Sequence, residues 1–406
     1  MKSFTKILLL VMCLVTFSNA EAAKEKPEFV WSRDVFIMTI SDDYKKAEKK
    51  REYSLLGTSA NRAEYEKQIA DAISEKLRAQ ADKLPFKLKT AMSEGDTSEL
   101  NAEVSDSSLE KPIAIYPIVV TDYQIPQTYT VNGQNYYKYI LISALDIAFC
   151  SEEDNGALKI LGTIPLHFYK ELPESGSSLA AMTEKSQEDL ARIYTNFTAQ
   201  MIEKELDFTK YKKMIEKLAD KSLAAETYRV EDVIYTSKTY QEKLGVNKLM
   251  QRICGNIFTS EYAAHTGNVV YPMILPGDTS NWIADAQKGL YSAKINSTHS
   301  GAKTITMPEK VDHQITLDVR GVGHQEVKTK QVSDINYFEL YKVIMRSSIS
   351  GGKSLETDNY MTVDRLRKGV EGKVNRIEKS EEEILGTLMI GATVKSAALQ
   401  AGKKVK

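Results

Sequence analysis

Cysteine is scarce in this chain of 406 residues, which contains only Cys13, Cys150 and Cys254. A chain of this length can bury a hydrophobic core without disulfides. Cys150 and Cys254 both lie in apolar surroundings, where a thiol often behaves as a small hydrophobic side chain. Two interpretations therefore stay open: two buried thiols, or one disulfide, which requires Cα atoms within about 7 Å of each other.

An excess of charge of either sign is also absent. The chain has 54 basic and 55 acidic residues, for a net charge of −1. Broad nucleic-acid binding needs a basic face that neutralises phosphates. This composition argues against nucleic acid as a partner.

Long apolar runs are absent except at the start of the chain. Residues 7–17 are apolar, Lys2 and Lys6 precede them, and small residues follow at Ser18 and Ala20. This arrangement is typical of a secretory signal peptide, and the run is too short to span a membrane. We predict a signal peptide over residues 1–20 and an exported bacterial protein, periplasmic or associated with the outer membrane.

Cys13 raises the alternative of a lipoprotein. Lipid attachment requires a small residue just before the cysteine, and this chain has Met12 there. We therefore interpret Cys13 as part of the apolar run of the signal peptide. Association with a membrane surface stays an open alternative.

Recognisable catalytic motifs are missing as well. The chain has no GxSxG motif, and its five histidines form no HExxH or HxH pair. The stretch SISGGKS at residues 348–354 lacks the first glycine of a phosphate-binding loop, because position 347 is Ser347. The sequence therefore predicts no catalytic, cofactor-binding or metal-binding residue and no cofactor.

A series of elements occurs twice along the chain. Each series consists of a strand, a helix, a strand with Tyr-Pro at its centre, two further strands and a closing helix. The first series comprises residues 33–40, 60–84, 111–120, 137–149, 157–169 and 190–201. The second comprises residues 231–236, 240–262, 267–275, 313–328, 335–346 and 363–374.

The repeated series predicts an α/β (α+β) fold with two related β-α-β-β-β-α domains, each a mixed sheet packed by helices. We place the domains at residues 21–206 and 230–380, a linker helix at 207–229 and a C-terminal tail at 381–406. The tail is apolar over residues 384–394, and we predict that it docks on the body or on a second subunit. Residues 91–111 and 276–312 are predicted to be long loops.

The two Tyr-Pro pairs predict a particular kind of strand. Proline cannot donate to a strand ladder, so it favours an edge strand or a bulge. Tyrosine beside it can cover an edge while its hydroxyl stays in water. Tyr116, Pro117, Tyr271 and Pro272 are therefore candidate contact edges, and the alternative is that both tyrosines line a ligand groove.

Residues 119–163, VVTDYQIPQTYTVNGQNYYKYILISALDIAFCSEEDNGALKILGT, alternate in strands that lead to a turn at residues 152–156. This pattern resembles exported bacterial α/β domains. These include the curli-secretion lipoprotein, the amino-terminal domain of the Tol-system propeller protein and the lipoprotein activators of penicillin-binding proteins. The resemblance implies a non-catalytic envelope role through protein–protein contacts.

Three functions remain open at this stage. The preferred one is a non-enzymatic protein of cell-envelope assembly, or a protein-binding module, whose partners are other envelope proteins or itself. The second is a hydrolase with its site between the halves and residues 276–312 as its lid. The third is a small-molecule-binding protein with its site in the interdomain cleft.

Overall fold

The computed structural model describes residues 26–38, 54–90, 112–131, 133–174, 177–220, 223, 225–238, 241, 248–274, 282–285, 287–330, 335–352, 354–365 and 388–405. The predicted signal peptide and the predicted loop at residues 91–111 lie outside these ranges, as do residues 366–374 of the predicted helix at 363–374.

Strands and helices are distributed along the whole described chain. The strands are β1 (Glu28–Trp31), β2 (Phe36–Met38), β3 (Lys87–Thr90), β4 (Ile113–Val131), β5 (Gln134–Glu152), β6 (Leu158–Leu172), β7 (Thr227–Tyr235), β8 (Val269–Val270), β9 (Ile283–Asp285), β10 (Leu290–Ser297), β11 (Gly301–Pro308), β12 (His313–Lys330), β13 (Ile335–Ile349) and β14 (Leu355–Arg365). The α-helices are α1 (Arg62–Gln80), α2 (Gln187–Glu205), α3 (Lys212–Ala219), α4 (Lys248–Thr266) and α5 (Val394–Val405).

The molecule has two sheets, and five strands of the first follow the same order as the five strands of the second. In the first sheet the order β3-β1-β4-β5-β6 begins with three parallel strands and continues with antiparallel neighbours. In the second sheet the order β8-β7-β12-β13-β14 has the same directions. The predicted α/β fold class, with mixed sheets packed by helices, is confirmed.

The alignment of the two series was wrong by one strand. Tyr116 lies on β4, whose counterpart in the second sheet is β12, whereas Tyr271 follows β8. The counterpart of β8 is β3, which the sequence analysis missed because four residues with two lysines do not stand out as a strand. The two Tyr-Pro pairs are therefore not at equivalent positions.

Part of the predicted loop at residues 276–312 forms strands that extend the first sheet. β10 and β11 form a hairpin, β10 pairs with β2, and β11 pairs with β6 at Leu158 and Lys159. Because β2 also pairs with β4, the strands β2, β10, β11, β6, β5 and β4 close into a ring. Residues inside the predicted domain 230–380 thus complete the sheet of residues 21–206, and the predicted boundaries do not separate the two sheets.

The inside of this strand ring is a small hydrophobic core. Alternate residues of β10 and β11, such as Ala293, Ile295, Ile305 and Met307, point into it. The Gly, Ser and Thr content of this segment concealed the alternation, although threonine favours strands. The remaining members are Phe36, Met38, Tyr116, Ile118, Ala148, Cys150, Leu158, Ile160, Tyr271 and Trp282.

A second, larger core continues from one sheet to the other. Helices α1 and α2 cover one face of the first sheet, where Tyr194 donates to Ser143 at 2.9 Å and Phe197 packs on Phe168. Helix α4 contacts β6, β7 and α5. Buried residues of both sheets and all these helices belong to one hydrophobic cluster, so the sheets are packed together.

The two predicted closing helices have different outcomes. The first is confirmed as α2, with Ser186 as its N-cap. The second is wrong over the part described, because Val363 lies on β14. The predicted linker helix is present only as a 3₁₀ turn and α3 over residues 208–219, and β7 begins at Thr227.

The C-terminal tail docks on the body of the protein, as the sequence analysis predicted. A π-helical turn over residues 389–393 leads into α5, which packs on α4, β13 and β14. Its buried side chains include Leu388, Met389, Val394 and Ala398. Helix α5 packs on the last two strands of the second sheet, β13 and β14, as α2 packs on the last two of the first, β5 and β6.

Candidate functional site

The candidate contact edges at the Tyr-Pro pairs are not exposed. Tyr116 and Tyr271 are only 7% and 6% exposed, and both belong to the core of the strand ring. Burial raises the pKa of Tyr271 to about 12. Pro117 and Pro272 are buried as well. The edge prediction is therefore wrong, because strands and residues distant in sequence cover these positions.

Pro117 is tolerated within a central strand for a local reason. β4 pairs with β1 as far as Ile115 and with β2 from Ile118 onwards. Pro117 lies between these two stretches, where β4 is paired with neither β1 nor β2 and only β5 is its neighbour on the other side. The ladder is therefore interrupted where the proline has no N–H to donate, and this interruption accommodates it as a bulge would.

The two remaining cysteines do not form a disulfide. Both are free and buried, Cys150 in the ring core and Cys254 in the larger core. Burial raises the pKa of the Cys254 thiol to about 12, so this thiol stays protonated. Cys254 therefore has the properties of a small hydrophobic side chain and lacks those of a reactive thiolate.

A concave site lies between strand β6 of the first sheet and helices of both series. We call it the β6 cleft, and its volume is about 520 Å³. That volume is within the range of about 300–1,000 Å³ that is usual for ligand sites. Its lining residues are Lys76, Gln80, Leu166, His167, Phe168, Lys204, Glu205, Leu206, Asp207, Lys210, Tyr211, Ile257, Ser260, Glu261, Ala264 and Lys395.

One wall of the cleft is strand β6, of which three consecutive residues, Leu166 to Phe168, line it. β6 pairs with β5 along most of its length, and on its other side it pairs with β11 only at Leu158 and Lys159. Beyond these residues α4 and β8 pack against β6, and the hydroxyl of Thr163 donates to the carbonyl of Val270 at 3.5 Å. Pro165 has no N–H to donate, so this part of the edge is covered and interrupted.

Lysines from several elements surround the cleft. Lys76 comes from α1, Lys204 from α2, Lys210 from the 3₁₀ turn before α3 and Lys395 from α5. Of these, Lys395 lies 3.7 Å from Glu261. Within the described part of the chain, the other three lysines form no ion pair within 4.0 Å.

The carboxylates of the cleft are partly engaged. Asp207 accepts hydrogen bonds from the backbone N–H of Thr209 at 3.0 Å and from its hydroxyl at 2.6 Å. Glu261 faces Lys395, which leaves Glu205 as the third carboxylate. Four lysines against three carboxylates give the lining a formal charge of +1, which the hydrogen bonds to Asp207 do not change because their donors are neutral.

His167 is the unusual group of the cleft. Both of its ring nitrogens are buried, and neither has a hydrogen-bond partner. Burial lowers the pKa of His167 to about 3, so the ring is neutral at physiological pH. A neutral imidazole with free donor and acceptor capacity can hydrogen-bond to a bound polar group once local movement exposes it.

The opposite wall is fixed by hydrogen bonds between elements. The hydroxyl groups of Tyr211 and Ser260 are 2.8 Å apart, which joins the 3₁₀ turn to α4. Gln80 at the end of α1 accepts from the backbone N–H of Phe208 at 2.8 Å. The helix ends that carry the lysines are therefore held in place around the strand edge.

Sequence reasoning found none of these cleft residues. The lysines belong to no motif, and His167 forms no HExxH or HxH pair. His167 does lie inside the apolar run of residues 157–169 that predicts a strand. That position within a buried strand was the only available signal.

The described residues contain no group of three or more His, Cys, Asp or Glu side chains that could hold a metal ion. Among these same residues, no helix is long and apolar enough to cross a membrane.

Comparisons with known proteins assign no family to the chain. No family model matches the chain, and no curated protein matches it. Among solved structures, the chain is similar to the hypothetical protein CT253 from Chlamydia trachomatis, with 10% identity and a TM-score of 0.19. The match covers 43% of this chain and 98% of that chain. The similarity at this TM-score carries no conclusion, and the resemblance to curli and Tol domains stays a prediction.

Proposed function

We propose that this protein is an exported, non-enzymatic protein of the bacterial cell envelope that binds other proteins through the β6 cleft. The observation that carries the proposal is the β6 cleft itself, a concave site of about 520 Å³ whose lysines come from four separate elements. Charged groups around a binding surface steer a partner of complementary charge and contribute specificity.

Export is proposed from the sequence alone. The apolar residues 7–17, which follow two lysines, are the support for it. Fractionation of cells that produce the full chain, compared with a chain lacking residues 2–20, tests this part. We expect the full chain in the periplasm or at the outer membrane, and the shortened chain in the cytoplasm. Cytoplasmic retention of the full chain would contradict export.

The binding role is tested by filling the cleft. Ala264 lines the cleft, so Ala264→Trp should occupy it, whereas Ala302 is exposed on β11 and Ala302→Trp is a matched control. We expect the native protein and A302W to capture the same partners from envelope extract, and A264W to lose them. Equal capture by A264W, at equal thermal stability, would show that partners bind elsewhere.

A second candidate is the binding of a small molecule in the same cleft. The volume of about 520 Å³ and the unpartnered nitrogens of His167 favour it. The hydrolase alternative has lost one support, because the described part of its predicted lid, residues 282–285 and 287–312, forms strands of the ring over most of its length.

A further inference from the structure

We propose that the edge of β12 beyond Val319 binds an extended segment of a partner protein, which carries aromatic side chains at alternate positions and pairs with β12 as a further strand. This surface belongs to the second sheet, so the inference goes beyond the function proposed for the β6 cleft. Backbone hydrogen bonds would supply affinity, and the spacing of the aromatic side chains would supply specificity.

The first argument is that, among the described residues, no strand pairs with this part of the edge. β7 pairs with β12 only as far as Val319, which faces Tyr235, and the N–H of Ser237 donates to the Val319 carbonyl at 3.1 Å. β12 continues to Lys330, and along this continuation it pairs with β13 on its other side. Helices α4 and α5 make their sheet contacts chiefly with β6, β7, β13 and β14.

The second argument is that this stretch lacks the usual devices that protect a strand edge. Natural edges are commonly blunted by lysine, proline or an inward-pointing charge. Residues 321–325, Gly-Val-Gly-His-Gln, contain no lysine, proline or carboxylate. The guanidinium of the preceding Arg320 lies 3.4 Å from Asp318. The backbone groups of residues 321–325 are therefore left without these protections.

Two glycines leave a strip without side chains along this edge. Val322 packs against the larger core, so Gly321 and Gly323 on either side of it face the opposite surface of the sheet. A Cβ at Gly321 would lie 3.6 Å from Cδ1 of Ile344, and a Cβ at Gly323 would lie 3.6 Å from Cβ of Lys342. These are ordinary van der Waals distances, so both positions have room for a side chain. We call this surface the glycine strip.

The conformation and packing of the described chain do not require glycine at either position. Neither residue has the positive φ that favours glycine, whereas Gly351 in the turn after β13 has a φ of 76°. Glycine inside a strand weakens it and often marks a place where a ligand or another backbone approaches closely. A strand that adds to β12 would make such an approach, and its side chains would occupy the strip.

The residues beside the glycine strip favour an aromatic occupant. Lys342 lies 2.6 Å from Asp358, and its Nζ lies 4.9 Å from the centre of the Tyr360 ring, so its side chain leans towards β14 and away from the strip. Its charge is therefore already compensated, and Ile344 adds an apolar contact next to Gly321. Aromatic side chains on a neighbouring strand can cover glycines at a sheet edge, which charged side chains do less well.

The binding test uses a synthetic hexapeptide that alternates threonine with tyrosine, with both ends capped, and a counterpart with alanine in place of tyrosine. Amide hydrogen exchange of residues 320–325 is followed by NMR in the native protein, with and without each peptide. We expect the tyrosine peptide to slow exchange at alternate residues, because only the N–H groups that face the edge gain a partner. The alanine peptide should leave exchange unchanged at the same concentration.

A variant that fills the glycine strip tests its role. G321T/G323T should bind the tyrosine peptide about tenfold more weakly, because the threonine side chains take the space of two aromatic contacts. Its melting temperature should equal or exceed that of the native protein, since threonine favours strands. Gln314 is exposed near the start of β12, where β7 already pairs, so Gln314→Thr is the control and should bind the peptide as the native protein does.

Four results would overturn this inference. Binding of the tyrosine peptide without alternate protection in residues 320–325 would exclude strand addition, and equal binding of the alanine peptide would exclude aromatic recognition. A lower melting temperature of G321T/G323T would show that the fold requires the glycines. Dimers of the native protein that G321T/G323T abolishes would assign the edge to a second copy. None of these results bears on the β6 cleft, which the A264W variant tests separately.

Discussion

At the scale of single residues, buried ionisable groups on the first sheet determine how stability depends on pH. His167 and Asp146 lie on the neighbouring strands β6 and β5. The pKa of His167 is lowered in the folded protein, and the pKa of Asp146 is raised. For both groups the main cause is burial, which disfavours the charged form. Each therefore predicts a pH window in which the free energy of unfolding changes.

The pKa of His167 is lowered to about 3, from about 6.5 in the unfolded chain. The stability due to its neutral form is therefore present above pH 6.5 and is lost as the pH falls towards 3. We expect His167→Leu to reduce the loss of stability in this window, as measured by urea unfolding at several pH values. An identical pH dependence in H167L and the native protein would contradict the burial of this imidazole.

Asp146 behaves in the opposite way, because burial raises its pKa to about 7, from about 3.9 in the unfolded chain. The protonated form fits the folded state, so the native protein loses stability as the pH rises from about 4 to 7. Asp146→Asn should be more stable than the native protein at pH 7 and similar at pH 4. Asp122, with a pKa raised to about 6, contributes a residual slope of the same sign. If D146N were destabilised at pH 7, this account of Asp146 would be wrong.

At the scale of elements, α1 is attached to the hairpin of β10 and β11 by a buried carboxylate. Glu66 accepts from Arg62 at 2.6 Å, and from the N–H and hydroxyl of Thr298 at 3.0 and 2.6 Å. Arg62 in turn donates to the backbone carbonyl of Asn296 at 2.9 Å. These contacts join a helix of the first series to the strands that close the ring.

Removal of this carboxylate should be costly. Glu66→Ala leaves Arg62 and the Thr298 N–H without their partner, and we expect a loss of about 3 kcal/mol in the free energy of unfolding. Glu64 is exposed in the first turn of the same helix, so Glu64→Ala is the control and should change stability by less than about 0.5 kcal/mol. Similar effects in both variants would contradict the role of Glu66.

The same helix shows which parts of the fold sequence reasoning could predict. Ile69, Ile73 and Leu77 recur with helical spacing and are all fully buried, so α1 was visible from local periodicity alone. The closure of the ring was not visible, because Ile295 pairs with Met38 across most of the chain. Pairing of that kind depends on tertiary packing, which a local pattern does not contain. The cleft was missed for the same reason, since its lysines come from four separate elements.

At the scale of the whole molecule, the two sheets of equal strand order are joined by a continuous core and completed by the C-terminal helix. The sequence predicted the two helices and the three long strands of the first series but missed β1 and β3, and it misplaced the last helix of the second series. Helix α5 supplies that helix and packs on α4, β13 and β14. Without the tail, the part of the second sheet that α5 covers would therefore be uncovered.

Truncation tests this role of the tail. Removal of residues 388–406 exposes the buried partners of Leu388, Met389 and Val394, so we expect a lower melting temperature and self-association through the uncovered face. Removal of residues 404–406 alone should leave both properties unchanged. If the long truncation altered neither melting temperature nor oligomer size, the docked tail would have no structural role.

The central claim is that the β6 cleft is the protein-binding surface, and site-specific photo-crosslinking beside it tests the claim most directly. A photoreactive amino acid replaces Tyr169 on β6, which is 37% exposed, or Tyr360 on the equivalent strand β14, which is 55% exposed. In living cells, the probe at position 169 should form a discrete crosslink to an envelope protein, and the probe at position 360 should not. A crosslink at position 360 only, or none at position 169, would contradict the claim.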